Sequence, residues 1–154
     1  MSVSKMIVAA LWSGGASVFC SLYFNTRAFH AVISGILGAM SYFVYLIIKV
    51  HIGNEALGFF VGTASVAVAS EILAVMMKNP ATVFLLSGLL PLVPGGGLFY
   101  MMRALVQEEF AQAFAIGYQT MMAAASIALG VAVVSSVFRI VQAFLRRKRS
   151  RRVL

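Results

Sequence analysis

The sequence predicts an all-α polytopic membrane protein, a five-helix transmembrane bundle whose fourth helix is broken by proline and glycine. Three observations lead there: a large apolar surplus, five long and nearly uncharged stretches, and basic residues gathered on one set of turns. Of 154 residues, 62% are hydrophobic and 10% charged, at a mean hydropathy of +0.98. A soluble domain carries about 25% charged residues, and one of about 150 residues buries only about 70% of its unfolded surface. The apolar remainder must face lipid. The single Cys20 excludes an internal disulfide and a multi-cysteine metal site.

A helix needs about 20 apolar residues to cross a hydrocarbon layer about 30 Å thick. Residues 6–24 are the first such stretch. It ends Val18-Phe19-Cys20-Ser21-Leu22-Tyr23-Phe24, bulky where a cleaved signal would end in small residues, so a retained helix is expected. Asn25-Thr26-Arg27 leads into the second stretch, 29–48, with Asn25 placed to cap it or to serve a cytoplasmic gate. Residues 49–55 lead into the third, 56–77. There a 100° step puts Phe60, Ala64, Ala67 and Glu71 on one face, with Ala74 close by, and Gly58 and Gly62 on the opposite one. Both faces suit burial in protein, the second through close Gly-xxx-Gly packing.

Lys78-Asn79-Pro80 precedes the fourth stretch, 81–106, and Gln107-Glu108-Glu109 precedes the fifth, 114–138, whose pattern continues towards Leu145. On the fifth, Ala124, Ala128, Ala132 and Ser136 form a stripe suited to helix packing, while Tyr118, Gln119 and Thr120 fit either a cavity wall or an interface. Short turns make successive helices antiparallel within one transmembrane domain, residues 1–145, followed by a basic cytoplasmic tail, 146–154.

The net charge of +8 invites a nucleic-acid reading, but half of the twelve basic residues are Arg146, Arg147, Lys148, Arg149, Arg151 and Arg152. With the C-terminus inside and five crossings, the inside also receives Arg27, Lys78 and Arg139, and the outside only Lys5, Lys49 and Arg103. Nine against three fits the positive-inside rule, with the N-terminus outside. The tail then reads as an anchor on anionic lipid, where each basic residue contributes up to about 1 kcal/mol. No nucleic acid is expected as a partner.

The fourth stretch carries the main functional signal. As a straight helix its 26 residues would reach about 39 Å, too long to stand upright in the bilayer. Pro91 and Pro94 interrupt it, each lacking an N–H and clashing with the carbonyl four residues earlier. The carbonyls of Ser87 and Leu90 are thereby expected to lose their helical partners. Gly95, Gly96 and Gly97 follow, with N–H groups that no side chain blocks. Such a break is tolerated in a membrane only against protein or a watery cavity. Transporters use it to face a half-helix N-terminus towards an anionic group and freed carbonyls towards a cation. Ser87, Leu90, Pro91, Pro94, Gly95, Gly96 and Gly97 are therefore candidate substrate-binding residues, the glycine N–H groups meeting a carboxylate. The bland alternative is a kink that only shapes the bundle.

Glu71 is the one acidic residue inside a stretch. An ionisable group there is a functional candidate by default, here for carrying a proton. It also lies near the cytoplasmic boundary, where it could pair with Lys78 or another basic turn residue instead. His30 and His51 have no ligand partners at metal spacing, so no metal or cofactor is expected. An enzyme is not expected either: there is no Asp for a carboxylate dyad, no His-Glu-x-x-His, and Leu86-Ser87-Gly88 lacks the surroundings of an intramembrane serine nucleophile.

Asn79-Pro80-Ala81-Thr82-Val83-Phe84 and Pro91-Leu92-Val93-Pro94-Gly95-Gly96-Gly97-Leu98-Phe99-Tyr100 resemble the threonine/serine exporter family, as do Phe24-Asn25-Thr26-Arg27 and Ala69-Ser70-Glu71-Ile72-Leu73. The resemblance implies a bacterial inner-membrane exporter of small polar solutes, driven by the proton motive force. Long members look like two fused five-helix halves; a chain of this length resembles the C-terminal half, the small subunit of a split two-gene form. That implies a companion membrane subunit resembling the N-terminal half; a homo-oligomer is open beside it. Threonine and serine are the named substrates, and split members are also linked to dicarboxylates such as succinate. The competing class is a membrane scaffold or regulatory subunit without a transport site of its own.

Overall fold

The computed structural model describes residues 3–150, with side chains described for residues 3–144. It is helical, with no strand among the described residues: α1 (Val3–Tyr23), α2 (Ala28–Ile52), α3 (Glu55–Met77), α4 (Ala81–Leu89), a 3-10 turn (Leu90–Leu92), α5 (Gly95–Val106) and α6 (Phe110–Ser150). Four helices are long and apolar enough to cross a membrane, and α4 with α5 make a fifth crossing if their bent pair counts as one. The chain is thus a multi-pass membrane protein. Arg151 and Arg152 of the basic tail lie outside the described residues, as do the side chains of Arg146, Arg147, Lys148 and Arg149.

Helix is the form in which a chain can satisfy its backbone polar groups without water, and the turns stop each helix by local means. α2 ends at Gly53, whose φ of +71° no other residue adopts as cheaply. Asn54 then caps α3, its Oδ1 accepting the Leu57 N–H at 3.1 Å. α3 ends at Lys78 in the left-handed region, and the Asn79 N–H returns to the Ala74 carbonyl at 3.2 Å. Asn25 does not cap α2, as its position had suggested: it takes φ +57° in the turn, and the N-cap is Arg27, without a side-chain bond.

α1 packs on α2 through small residues, Ala10, Ser13, Gly14, Ser17 and Ser21 against Ala31, Ser34, Gly35, Gly38 and Ser41. Small side chains let backbones approach closely, which is the main source of helix association in lipid. α3 lies between α2, α4 and α6. Its Gly58, Gly62 and Ala67 are buried and its Phe60, Ala64, Glu71 and Ala74 half-buried, as the two-faced pattern predicts. Val61, Val68, Ile72 and Val75 are exposed and form its lipid side.

Two apolar clusters hold the bundle. Met6, Tyr45, Leu46 and Leu92 form one, and Leu37, Val66 and Phe84 the other. α6 attaches through Ala113, Thr120, Ala123 and Gly130, all buried. The stripe Ala124, Ala128, Ala132 and Ser136 is exposed, contrary to its expected packing role within this chain. The helix needs close approach where Gly130 meets the Phe60 carbonyl and Thr63, and that contact sets which face turns inward.

Candidate functional site

The break in the fourth crossing is built from consecutive local constraints. Pro91 cannot continue the hydrogen-bond ladder of α4, so the chain tightens into the 3-10 turn, and the Val93 N–H donates to the Leu90 carbonyl at 3.2 Å. Pro94 then adopts φ −78°, ψ 51°, and the Gly95 N–H donates to the Val93 carbonyl at 2.8 Å, an inverse γ-turn. Regular helix bonding resumes when the Leu98 N–H reaches the Pro94 carbonyl at 3.3 Å. The two halves of the crossing meet at 47°.

These bonds sort the expected backbone groups. The Leu90 carbonyl is not free, because the tight turn gives it Val93, and the Gly95 N–H is engaged as well. Gly96 and Gly97 remain as the first-turn N–H groups of α5. Gly95 and Gly96 are exposed, with open space where a Cβ would stand. Gly97 differs: a Cβ there would collide with the Thr120 Oγ1 on α6. Ser87 is buried, its hydroxyl donating to the Val83 carbonyl at 3.4 Å. Pro91 is half-buried above Gly38 of α2.

Beside the break opens a cavity of about 880 Å³, walled by α3, α5 and α6. Pro94 and Gly97 line it at the break, and Arg103, Gln107, Glu109 and Gln112 towards its other end. Gln119 and Thr120 belong to its wall, one of the two positions open to them from the sequence. Arg103 had signalled only topology; the expected antiparallel pairing of successive helices set α5 beside α6 but not which of their faces border a cavity. Glu55 also lines the cavity. Its Oε1 accepts from the Lys49 Nζ at 2.6 Å and from the Tyr45 hydroxyl at 2.8 Å, and the Tyr45 ring lies 4.5 Å from that of Phe59.

The structure does not bring Glu71 to this cavity. Glu71 sits on α3 twelve residues beyond the cavity-lining Phe59, about 18 Å along the helix axis. Among the described residues the ion pair present is Lys49–Glu55, so Glu71 does not pair with Lys78. A smaller cleft of about 240 Å³, lined by Phe24, Thr26, Thr82, Val83, Leu86 and Ser87, opens at the opposite end of the bundle.

A broken crossing beside a polar cavity is an arrangement found in transporters, and the sequence comparison decides which kind. The family model described as Threonine/Serine exporter, ThrE matches residues 9–137. The chain belongs to the threonine/serine exporter family. The match covers α1 to most of α6, including the whole break. No curated protein and no solved structure matches the chain. The exporter is thus a membrane transport protein of the threonine/serine type, in a family of transporters.

Proposed function

We propose that this exporter is one half of a two-part secondary transporter that moves threonine, serine or a small dicarboxylate such as succinate out of the bacterial cytoplasm. In this reading the proton motive force drives it, a companion membrane subunit supplies the other half, and the N-terminus lies outside with the C-terminus inside. The observation that carries the reading is the fourth crossing: its 47° break leaves Gly95 and Gly96 exposed and sets Pro94 and Gly97 in the wall of the cavity of about 880 Å³. A solute carboxylate meets the Gly96 and Gly97 N–H groups and the positive end of α5. Arg103, in the same cavity and outside any ion pair among the described residues, adds a full charge. Ser87, Leu90, Pro91, Pro94 and Gly95 shape the turn that presents these groups. Glu71 carries the coupled proton at a distance from the solute. The basic tail holds the inner end against anionic lipid.

Five crossings in each half give two halves opposite orientations, which is the inverted-repeat logic of many secondary transporters. The test is efflux of radiolabelled threonine, serine and succinate from cells carrying this chain alone, the companion alone, or both. Efflux that needs both is the expected outcome; efflux from this chain alone would refute the half-transporter reading.

A further inference from the structure

The two openings lie towards opposite ends of the bundle, one on each side of the break. Five fully buried hydroxyls have no hydrogen-bond partner among the described residues: Ser17 and Ser21 of α1, Ser34 of α2, and Thr63 and Ser70 of α3. In a packed membrane bundle such groups are destabilising unless something meets them. Their neighbours are not in the same state. Ser13 donates to the Gly38 carbonyl at 3.2 Å, and Ser41 donates to the carbonyls of Gly38 and Gly88, each at 3.0 Å.

The three on α1 and α2 follow one line. Thr26, in the small cleft, donates to the Ser21 carbonyl. The antiparallel register that sets Ser17 on Gly38 sets Ser21 opposite Ser34 one turn nearer the cleft. A Cβ on Gly38 would collide with Ser17 Oγ and stand 3.5 Å from Pro91 Cγ, so the line ends beneath the proline turn. Above it Leu92 is 1% exposed, packed with Met6, Tyr45 and Leu46. Pro94, two residues further on, already lines the large cavity.

We propose that the Ser21–Ser34–Ser17 seam between α1 and α2 is the closed half of the solute path, and that Leu92 is the plug separating it from the cavity. The inference rests on the transport reading above and extends it to residues outside the break. When α1 and α2 part, the three hydroxyls supply donors and acceptors to a small polar solute; when they close, the hydroxyls are left unpartnered. The closed state is the one described here.

Alanine at these positions separates path from packing. Removing an unpartnered buried hydroxyl spares the fold its desolvation, so Ser17→Ala, Ser21→Ala and Ser34→Ala should keep or raise the midpoint of thermal unfolding. With the companion present, each should slow export about tenfold, the equivalent of one hydrogen bond to the passing solute. Export at the wild-type rate in all three overturns the proposal. A second measurement needs no flux. In a Cys20→Ser background, Ser17→Cys should be shielded from a membrane-impermeant thiol reagent added on the cavity side, and Leu92→Ala in the same chain should make it reactive. A cysteine as unreactive with Leu92→Ala as without it overturns the plug even where export is confirmed. Reactivity gained in a protein that exports nothing keeps the seam as a path and removes the transport reading on which its solute was chosen.

Discussion

Thr120 closes on Gly97 at the crossing of α5 and α6. The Thr120 hydroxyl donates to the Ile116 carbonyl of its own helix at 2.7 Å, and its side chain fills the space a Cβ at position 97 would need. The middle glycine of the triplet faces open space, the last a neighbour. Three adjacent glycines therefore do different things.

Gly97→Ala is expected to destabilise the protein by about 1–3 kcal/mol, the usual cost of overpacking. Thr120→Ala in the same chain should recover much of that loss. Thermal unfolding of the single and double variants in detergent checks both, and a Gly97→Ala protein as stable as the wild type would contradict the contact.

Gly96→Val meets no such obstacle, and insertion and stability are expected to stay within about 0.5 kcal/mol of wild type, as for a surface change. Export should nonetheless be abolished, because a branched side chain covers the N–H groups of the first turn of α5. Undiminished export by a properly inserted Gly96→Val protein would remove the carboxylate site.

Glu55→Gln breaks the pair with Lys49 but should cost less than about 1 kcal/mol, because both side chains are about half exposed, 45% and 52%. Tyr45→Phe loses one hydrogen bond to the same carboxylate, worth about 1 kcal/mol. A double-mutant cycle of Lys49→Met and Glu55→Gln in chemical unfolding measures the coupling, and a value well above the surface range would mean that the pair is shielded from water.

Glu71→Gln keeps the size of the side chain and removes its exchangeable proton. Flux driven by a pH gradient should fall to the level seen without a gradient, while solute exchange at equal pH continues. Full gradient-driven flux in this variant would rule out Glu71 as the carrier.

The crossings were legible because hydropathy and turn chemistry act locally. Lys78-Asn79-Pro80 and Gln107-Glu108-Glu109 fall in the turns where they were expected, and the bend falls between Leu92 and Gly95. The finer bonding of the break was not, because a 3-10 turn and a γ-turn share out backbone groups that a helix template leaves free. The Leu90 carbonyl and the Gly95 N–H are the two cases. Contacts between distant segments left still less trace. His30, for which the sequence offered no partner, has its Nε2 3.1 Å from the Asn79 Nδ2 and its ring edge-on to Phe84, joining the start of α2 to the turn before α4. Arg103 and Gln112 lie on consecutive helices whose antiparallel pairing was expected, but periodicity did not show that these two faces border one cavity. The small-residue stripe on α6 shows the limit in the other direction: periodicity gives a face, and only the fold says whether this chain covers it.

The 41 residues of α6 make a rod about 62 Å long, roughly twice the hydrocarbon thickness. Even at a steep tilt of about 40°, about 23 Å of that rod must stand clear of the hydrocarbon. A chain this apolar therefore carries a length of stiff helix in water or among headgroups. The length that stands clear is helix rather than loop, at whichever end of α6 it projects.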